Sequence, residues 1–370
     1  MELFNRSSVI SSYIVFVKSH SQRDYYLGNN YTYHPQFYMW TYNCKTYEKE
    51  ALQKAEAILG PFPKRKTPLP VSDCHPETDQ SPLLDLKHHR DFQVLIGMLQ
   101  WSYSIGRPEL GHSLSSLNRF GTCPRETHLD LLKHVFGYLL YTQNESNNIA
   151  IDSNPMEYER RELDYEVLRP DFLQDYPDAR EEIDPGFPEP FGTALETTIL
   201  VDSDHAHDIK TRRSLTGIIV FVGSTPVLWI CKRQSTVASS TYSAEFSALC
   251  TATEEAMNIR YCLRCLGVNI PSDRTCPTKV FGDNFSVIQS VSNPGHDLNK
   301  KHVAISFHVV REAVAAGIIE PYWIQSGNNM SDILTKLFPH GPFSRHMKYI
   351  YWKPNWHLRK HNALGQDFNT

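Results

Sequence analysis

Residues 197–222 read Thr197-Thr-Ile-Leu-Val-Asp202-Ser-Asp-His-Ala-His-Asp-Ile-Lys-Thr-Arg-Arg-Ser-Leu-Thr-Gly-Ile-Ile-Val-Phe-Val222. A short apolar run, Thr197–Val201, stops at an aspartate, and a second run, Leu215–Val222, follows a polar loop. Such runs, bounded by turn-forming residues, read as two strands with a carboxylate closing the first. Val227–Cys231 is a third β-rich run, set off by the turn Gly223-Ser-Thr-Pro226. From Thr241 to Cys265 the pattern becomes helical, with Phe246, Leu249, Cys250, Met257 and Tyr261 on one face and Gly267 as the stop. A strand at Thr278–Gly282, a short helix at Phe285–Val291, a helix at Val303–Ala316, a strand at Ile318–Ile324 and a final helix from Ser331 complete the series. That order implies an α/β domain, a mixed five-stranded sheet flanked by helices.

Upstream the texture changes. Residues 1–145 read as mainly helical, with helices expected at Tyr47–Leu59, Asp91–Ser104 and Thr127–Tyr141. A loop rich in Pro, Lys and Asp, Gly60–Pro82, separates the first two. Residues 146–190 are acidic and Pro-rich, ending near Asp184-Pro-Gly-Phe-Pro-Glu-Pro190, and read as a linker or draped insertion with little core of its own. The α/β domain spans 191–345, and 346–370 reads as a tail.

At 370 residues with 41% hydrophobic content, the chain has material for two globular cores. The formal net charge of −4 hides an uneven distribution. Residues 151–204 hold 4 basic against 16 acidic side chains, while 205–370 hold 18 basic against 11 acidic. A basic C-terminal part behind an acidic segment suits a phosphate-binding surface. The eight cysteines form no evident disulfide framework, and Cys262-Leu-Arg-Cys265 lies inside a helical pattern without companion ligands. It reads as helix packing rather than a zinc site. No stretch reaches the length of a membrane span, and Met1–His20 lacks the cationic leader and apolar block of a secretory signal.

Four acids fall where the fold would converge carboxylates: Asp202 closing the first strand, Glu245 in the first turn of the long helix, Asp283 ending the fourth strand and Asp332 opening the last helix. Strand ends and helix starts at one sheet edge are where α/β sites lie. Four carboxylates suit hard divalent cations such as Mg²⁺, and a pair of those suits phosphodiester hydrolysis. Asp204 and Asp208 compete with Asp202 for the first place, and Asp283 could equally be a turn residue.

Five motifs in order then resemble the ribonuclease H part of copia-type retrotransposon polyproteins. They are Asp202-Ser-Asp-His-Ala-His-Asp with Thr211-Arg-Arg-Ser-Leu-Thr-Gly217, Lys232-Arg-Gln with Thr241-Tyr-Ser-Ala-Glu245, Gly282-Asp-Asn-Phe-Ser-Val-Ile288, Phe307-His-Val-Val-Arg-Glu312 and Ser331-Asp-Ile-Leu-Thr-Lys336. Upstream, Tyr26-Leu-Gly-Asn-Asn30, Leu95-Ile-Gly-Met-Leu99 with Gly106-Arg-Pro-Glu-Leu110, and His128-Leu-Asp-Leu-Leu-Lys133 are similar to the end of the same family's reverse transcriptase, beyond its palm.

The resemblance implies an RNase H-like fold behind a thumb or connection remnant in 1–145. It implies Asp202, Glu245, Asp283 and Asp332 as catalytic, metal-binding acids for two Mg²⁺ ions (or Mn²⁺), and an RNA–DNA hybrid as substrate. Arg212, Arg213, Lys232, Arg233, Lys300, Lys301, His302 and Arg311 are the candidate phosphate contacts, and Ser239, Ser240 and Thr241 candidate sugar contacts. His308 reads as a packed histidine. The rest of a retrotransposon polyprotein is an expected partner, in cytoplasm, nucleus or a virus-like particle, with no membrane role.

Departures bound this. The family's polymerase motif, Tyr-x-Asp-Asp, has no counterpart, since no Asp-Asp dipeptide occurs in the chain. No polymerase activity is therefore expected, and the sequence looks like a truncated or partial element. His205 and His207 replace the family's Trp and Gly, and Phe285 its Gln. The alternatives are a catalytically inactive remnant or a non-catalytic nucleic-acid-binding module. An integrase-like DNA nuclease lacks its zinc-binding His/Cys segment here.

Overall fold

A computed structural model describes residues 25–71, 75–145, 147–156, 158, 164–296 and 304–353. In the first half, Tyr25–Tyr26 (β1) and Asn29–His34 (β2) form a hairpin whose turn residues, Leu27 and Gly28, have φ of 49° and 92°. Two left-handed residues make the turn that matches strand twist, and glycine takes one of the places without a Cβ penalty. Met39–Asn43 (β3) and Ile149–Ile151 (β4) extend an antiparallel sheet in the order β1-β2-β3-β4. Four helices follow the hairpin region: Lys45–Leu59 (α1), Leu86–Gly106 (α2), Gly111–Leu117 (α3) and Glu126–Thr142 (α4). They close around Phe92, Leu95, Leu99, Leu132, Phe136 and Leu139.

The expected helices are present and somewhat longer. Asp85 starts α2 five residues early, because its carboxylate accepts a hydrogen bond from the His88 amide (2.9 Å). The sheet is an addition. Its strands are Tyr-, Thr- and Asn-rich with partly exposed faces, so they carry β-propensity without clean alternation, and β4 arrives about 105 residues after β3.

The described residues of 146–190 pack on the second half and contribute to its core, so the segment is more than a linker. Asp164 caps the helix Tyr165–Asp175 (α5), which buries Tyr165 and Phe172. Glu181 accepts hydrogen bonds from both Arg260 and Arg264 at 2.7–2.8 Å, with all three side chains nearly buried. The acidic segment is thus matched to cations of its own neighbourhood.

The second sheet has the order β7-β6-β5-β8-β9. Thr197–Asp204 (β5), Leu215–Val222 (β6) and Thr225–Arg233 (β7) are antiparallel, while Thr278–Gly282 (β8) and Ile319–Trp323 (β9) run parallel to β5. Thr241–Cys265 (α6), capped by Ser240, Phe285–Ser292 (α7), capped by Asn284, and Ala304–Ala315 (α8) flank it. A mixed five-stranded sheet in this order, flanked by helices, is the ribonuclease H-like α/β fold.

Three expectations need correction. The helix expected from Ser331 is a five-residue 3-10 turn, Met330–Leu334, and the α-helix His340–Ile350 (α9) begins only after Pro339. The buried stripe of α6 runs through Phe246, Leu249, Ala252, Ala256 and Arg260, leaving Met257 and Tyr261 exposed, because small side chains allow close packing on the sheet. Cys262 and Cys265 are exposed rather than packed.

The halves interlock. Phe343 of α9 sits in the core of the first half. Beside it, buried Arg107 pairs with Glu48 (2.5 Å) and Glu109 (2.7 Å), and Glu109 also accepts hydrogen bonds from Tyr138 (3.1 Å) and Tyr351 (2.6 Å). Removing one member of such a network strands a buried charge, which is the costly case. Residues 346–353 are therefore packed structure and not a tail.

Candidate active site

Strand register builds the site. In the parallel pair β5–β8, Val201 lies beside Gly282, so the next residues, Asp202 and Asp283, emerge side by side at the carboxyl ends of neighbouring strands. Asp332 is brought in by the 3-10 turn. Asn329, fully buried, donates to the Val201 carbonyl (2.9 Å) and accepts from the Ser331 amide (3.2 Å) and hydroxyl (2.6 Å), which pins the turn onto β5. Gly217 faces Asp202 across β6. A Cβ there would come within 2.8–2.9 Å of Thr335, Leu334 and the Ser331 carbonyl, so a glycine is what lets the turn lie against the sheet.

Carboxylate oxygens of Asp202, Asp283 and Asp332 all lie within 4.8 Å of one another. Glu245, the fifth residue of α6 and so just past its first turn, stands outside that trio but lines the same cavity of about 460 Å³ with Ser203, Asp204, Thr241, Asp283 and Lys336. Of the competitors for the first acid, Asp204 pairs with His207 (2.8 Å). Asp208 is engaged by Arg119 (2.6 Å) and Arg233 (2.8 Å). Asp202 is the one in the cluster.

Crowding shows in the electrostatics. Burial, then the charges of Asp202 and Asp283, push Glu245 up to about 9. Burial and the Asp202 charge push Asp332 up to about 8, and the same two causes raise Asp283. Burial alone would lower Lys336, yet the charges of Asp202 and Asp332 hold its ammonium well above the usual range. It sits 3.1 Å from Asp202 Oδ1 and 3.0 Å from Asp332 Oδ1, while Thr335 donates to the other Asp202 oxygen. Carboxylates this close favour uptake of a cation. Their hard oxygen donors and spacing could hold a metal ion, with Asp202, Asp283 and Asp332 as the holders and Glu245 beside them.

The basic candidates divide. Arg212 and Lys232 are exposed and Arg213 and Arg233 half-buried. The pairings Asp204–Leu215 and Leu215–Arg233 put them at the same sheet end as the acids. Arg311 is withdrawn as a phosphate contact: only 2% exposed, it donates to the Asn293 (2.8 Å) and Pro294 (2.6 Å) carbonyls and stacks on Phe172 and Phe307. Lys300, Lys301 and His302 lie outside the described residues. Ser240 is occupied as the α6 cap, whereas Thr241 faces the cavity. His308 is exposed and bonded to the Tyr176 hydroxyl (2.7 Å), so it is not a core residue. Sequence reasoning gave no role to Asn329, Thr335 or Lys336, although two of them stand in the quoted motif Ser331–Lys336.

Across 246 residues, 66% of its length, the chain is 25% identical to the retrovirus-related Pol polyprotein from transposon RE1 of Arabidopsis thaliana. Across 252 residues it is 24% identical to the one from transposon TNT 1-94 of Nicotiana tabacum. It is a homologue of transposon Pol polyproteins. The chain spans only 14% and 16% of those two proteins. An aligned stretch of 246 residues is longer than 191–370, so the homology to the Pol polyproteins takes in part of the first half as well. No family model matches. Among solved structures, the N-terminal RNase H domain of a Mycobacterium tuberculosis protein covers 41% of the chain (96% of that domain) at 13% identity and TM-score 0.29. RNase H1 of Halobacterium salinarum covers 39% (95% of that protein) at 16% identity and TM-score 0.28. The strand order described above, rather than these overlaps, assigns the fold.

Proposed function

We propose that this RNase H-type module hydrolyses the RNA strand of RNA–DNA hybrids, with Asp202, Glu245, Asp283 and Asp332 as its acids and two Mg²⁺ ions as cofactors. The observation that carries the reading is the trio of carboxylates within 4.8 Å, two at the ends of β5 and β8 and the third on the 3-10 turn, with Asp283 facing a cavity that Glu245 also lines. Two ions bound there would favour ionisation of the attacking water and offset charge on the leaving oxygen. The chain's own residues do the rest. Asn329 and Gly217 fix where Asp332 stands, and Thr335 orients Asp202. Arg212 and Lys232, with half-buried Arg213 and Arg233, lie at the same end to meet a phosphate backbone. Thr241, exposed on the cavity wall, is the group suited to a ribose hydroxyl.

Residues 1–145 we read as the thumb or connection end of a reverse transcriptase, working with the rest of a polyprotein in cytoplasm, nucleus or particle. No helix among the described residues is long and apolar enough to cross a membrane. A second reading, a hybrid-binding module without turnover, draws on one observation: the Lys336 ammonium sits between two of the acids. Incubating the full chain with a labelled RNA–DNA hybrid and Mg²⁺, beside Asp283→Asn, separates the two. Cleavage by the parent alone supports the nuclease; binding by both with equal silence sinks it.

A further inference from the structure

The acid cluster is lopsided. Lys336 reaches Asp202 Oδ1 at 3.1 Å and Asp332 Oδ1 at 3.0 Å, whereas among the described residues no lysine, arginine or histidine nitrogen lies within 4 Å of the Asp283 or Glu245 carboxylate. One side of the cluster is thus already covered by a cation and the other is open to the cavity. The covering cation has a route out of the cluster. Its backbone is tied down, since the Lys336 amide donates to the Asp332 carbonyl (2.8 Å), but its side chain is 37% exposed at the cavity rim. A lysine stem of four carbons can swing its ammonium into solvent without moving the turn.

We propose that Lys336 is a resident stand-in cation that makes the two metal positions unequal. The position reached through Asp283, Asp202 and Glu245 fills first; the position between Asp202 and Asp332 fills only when the ammonium leaves. Lys336 thereby keeps the metal-free cluster from repelling itself apart and sets the divalent-ion concentration at which the second position is occupied. This rests on the two-metal reading of the site.

The test is a Mn²⁺ titration of the full chain, followed calorimetrically and by the electron paramagnetic resonance signal of free Mn²⁺, with no substrate present. For the parent, two unequal steps are expected. Lys336→Met should tighten the second step by about tenfold, the weight of two partly exposed ion pairs, and leave the first nearly unchanged. It should also lower the melting temperature of the metal-free chain, with saturating Mn²⁺ restoring it. Lys336→Arg keeps the charge and should retain the unequal steps, which guards against a folding defect in the methionine variant. Two Mn²⁺ bound identically by parent and Lys336→Met would overturn the proposal while leaving the metal centre standing. No Mn²⁺ bound by any variant would overturn both.

Discussion

Metal uptake near neutral pH should expel protons from the protein. Glu245 at about 9 and Asp332 at about 8 are both mostly protonated at pH 7 in the metal-free chain, the first almost wholly and the second by roughly nine-tenths. A divalent cation binds the carboxylate and not the acid, so each group it engages must give up its proton. The expected release at pH 7 is between about one and two protons per chain. At pH 9.5 both groups are largely ionised beforehand and the release should approach zero. The assay is isothermal titration with Mg²⁺ in two buffers of different ionisation enthalpy, the slope of observed enthalpy against that quantity giving the proton count. Glu245→Gln should lower the count by as much as one. An enthalpy independent of buffer at pH 7 would refute the reasoning, because the acids would then be ionised already and the cluster not crowded.

The same shifts set a stability trend without metal. An acid whose folded-state value lies above its ordinary one holds a proton that the unfolded chain has lost, so stability is full below about pH 4 and declines as pH rises toward 9. The slope is at most about 1.4 kcal/mol per pH unit for one retained proton, and thermal melts at pH 5, 7 and 9 with and without Mg²⁺ check it. Asp208 behaves oppositely. Burial would raise it, but the Thr211 hydrogen bonds and the Arg119 charge bring it to about 2, so its contribution is present above about pH 4 and fades as pH falls toward 2. Arg119→Met should lower the melting temperature at pH 6, with the gap from the parent narrowing at pH 3. Gly217→Ala should cost about 1–3 kcal/mol by forcing Thr335 and Leu334 off the sheet. It should also lose cleavage more than hybrid binding, since Asp332 moves with them; unchanged cleavage would remove Gly217 from the positioning scheme.

Much of the second half was legible because its strands are apolar runs and its long helix has a clear stop. Thr241–Cys265, Thr278–Gly282 and Leu215–Val222 have the residue bounds that periodicity indicated. The four acids could be named from element order, but only three are drawn together, with Glu245 on the long helix lining the cavity beside them. Asn329 was invisible because its work is a hydrogen bond to a backbone carbonyl 128 residues away. Arg311 was misjudged for a related reason: a guanidinium satisfied by main-chain carbonyls and two phenyl faces has the same one-letter signature as one awaiting phosphate. The first sheet escaped notice because its strands are short, β2 and β3 are rich in Tyr, Thr and Asn without clean alternation, and β4 joins β3 from far along the chain.

The loop that leaves β5 after Asp204 ends in a contact with the other half. Arg119 grips Asp208 and Glu77 at once, Glu77 accepts from the Ile209 amide (3.1 Å), and the His112 ring sits edge-on against His207 at 5.1 Å. The first half thus serves as the jig in which the first loop of the α/β domain is held. Substitution of Arg119, Glu77 or His112 would therefore be felt in the loop that follows β5, beside the acid cluster, although all three lie outside the α/β domain.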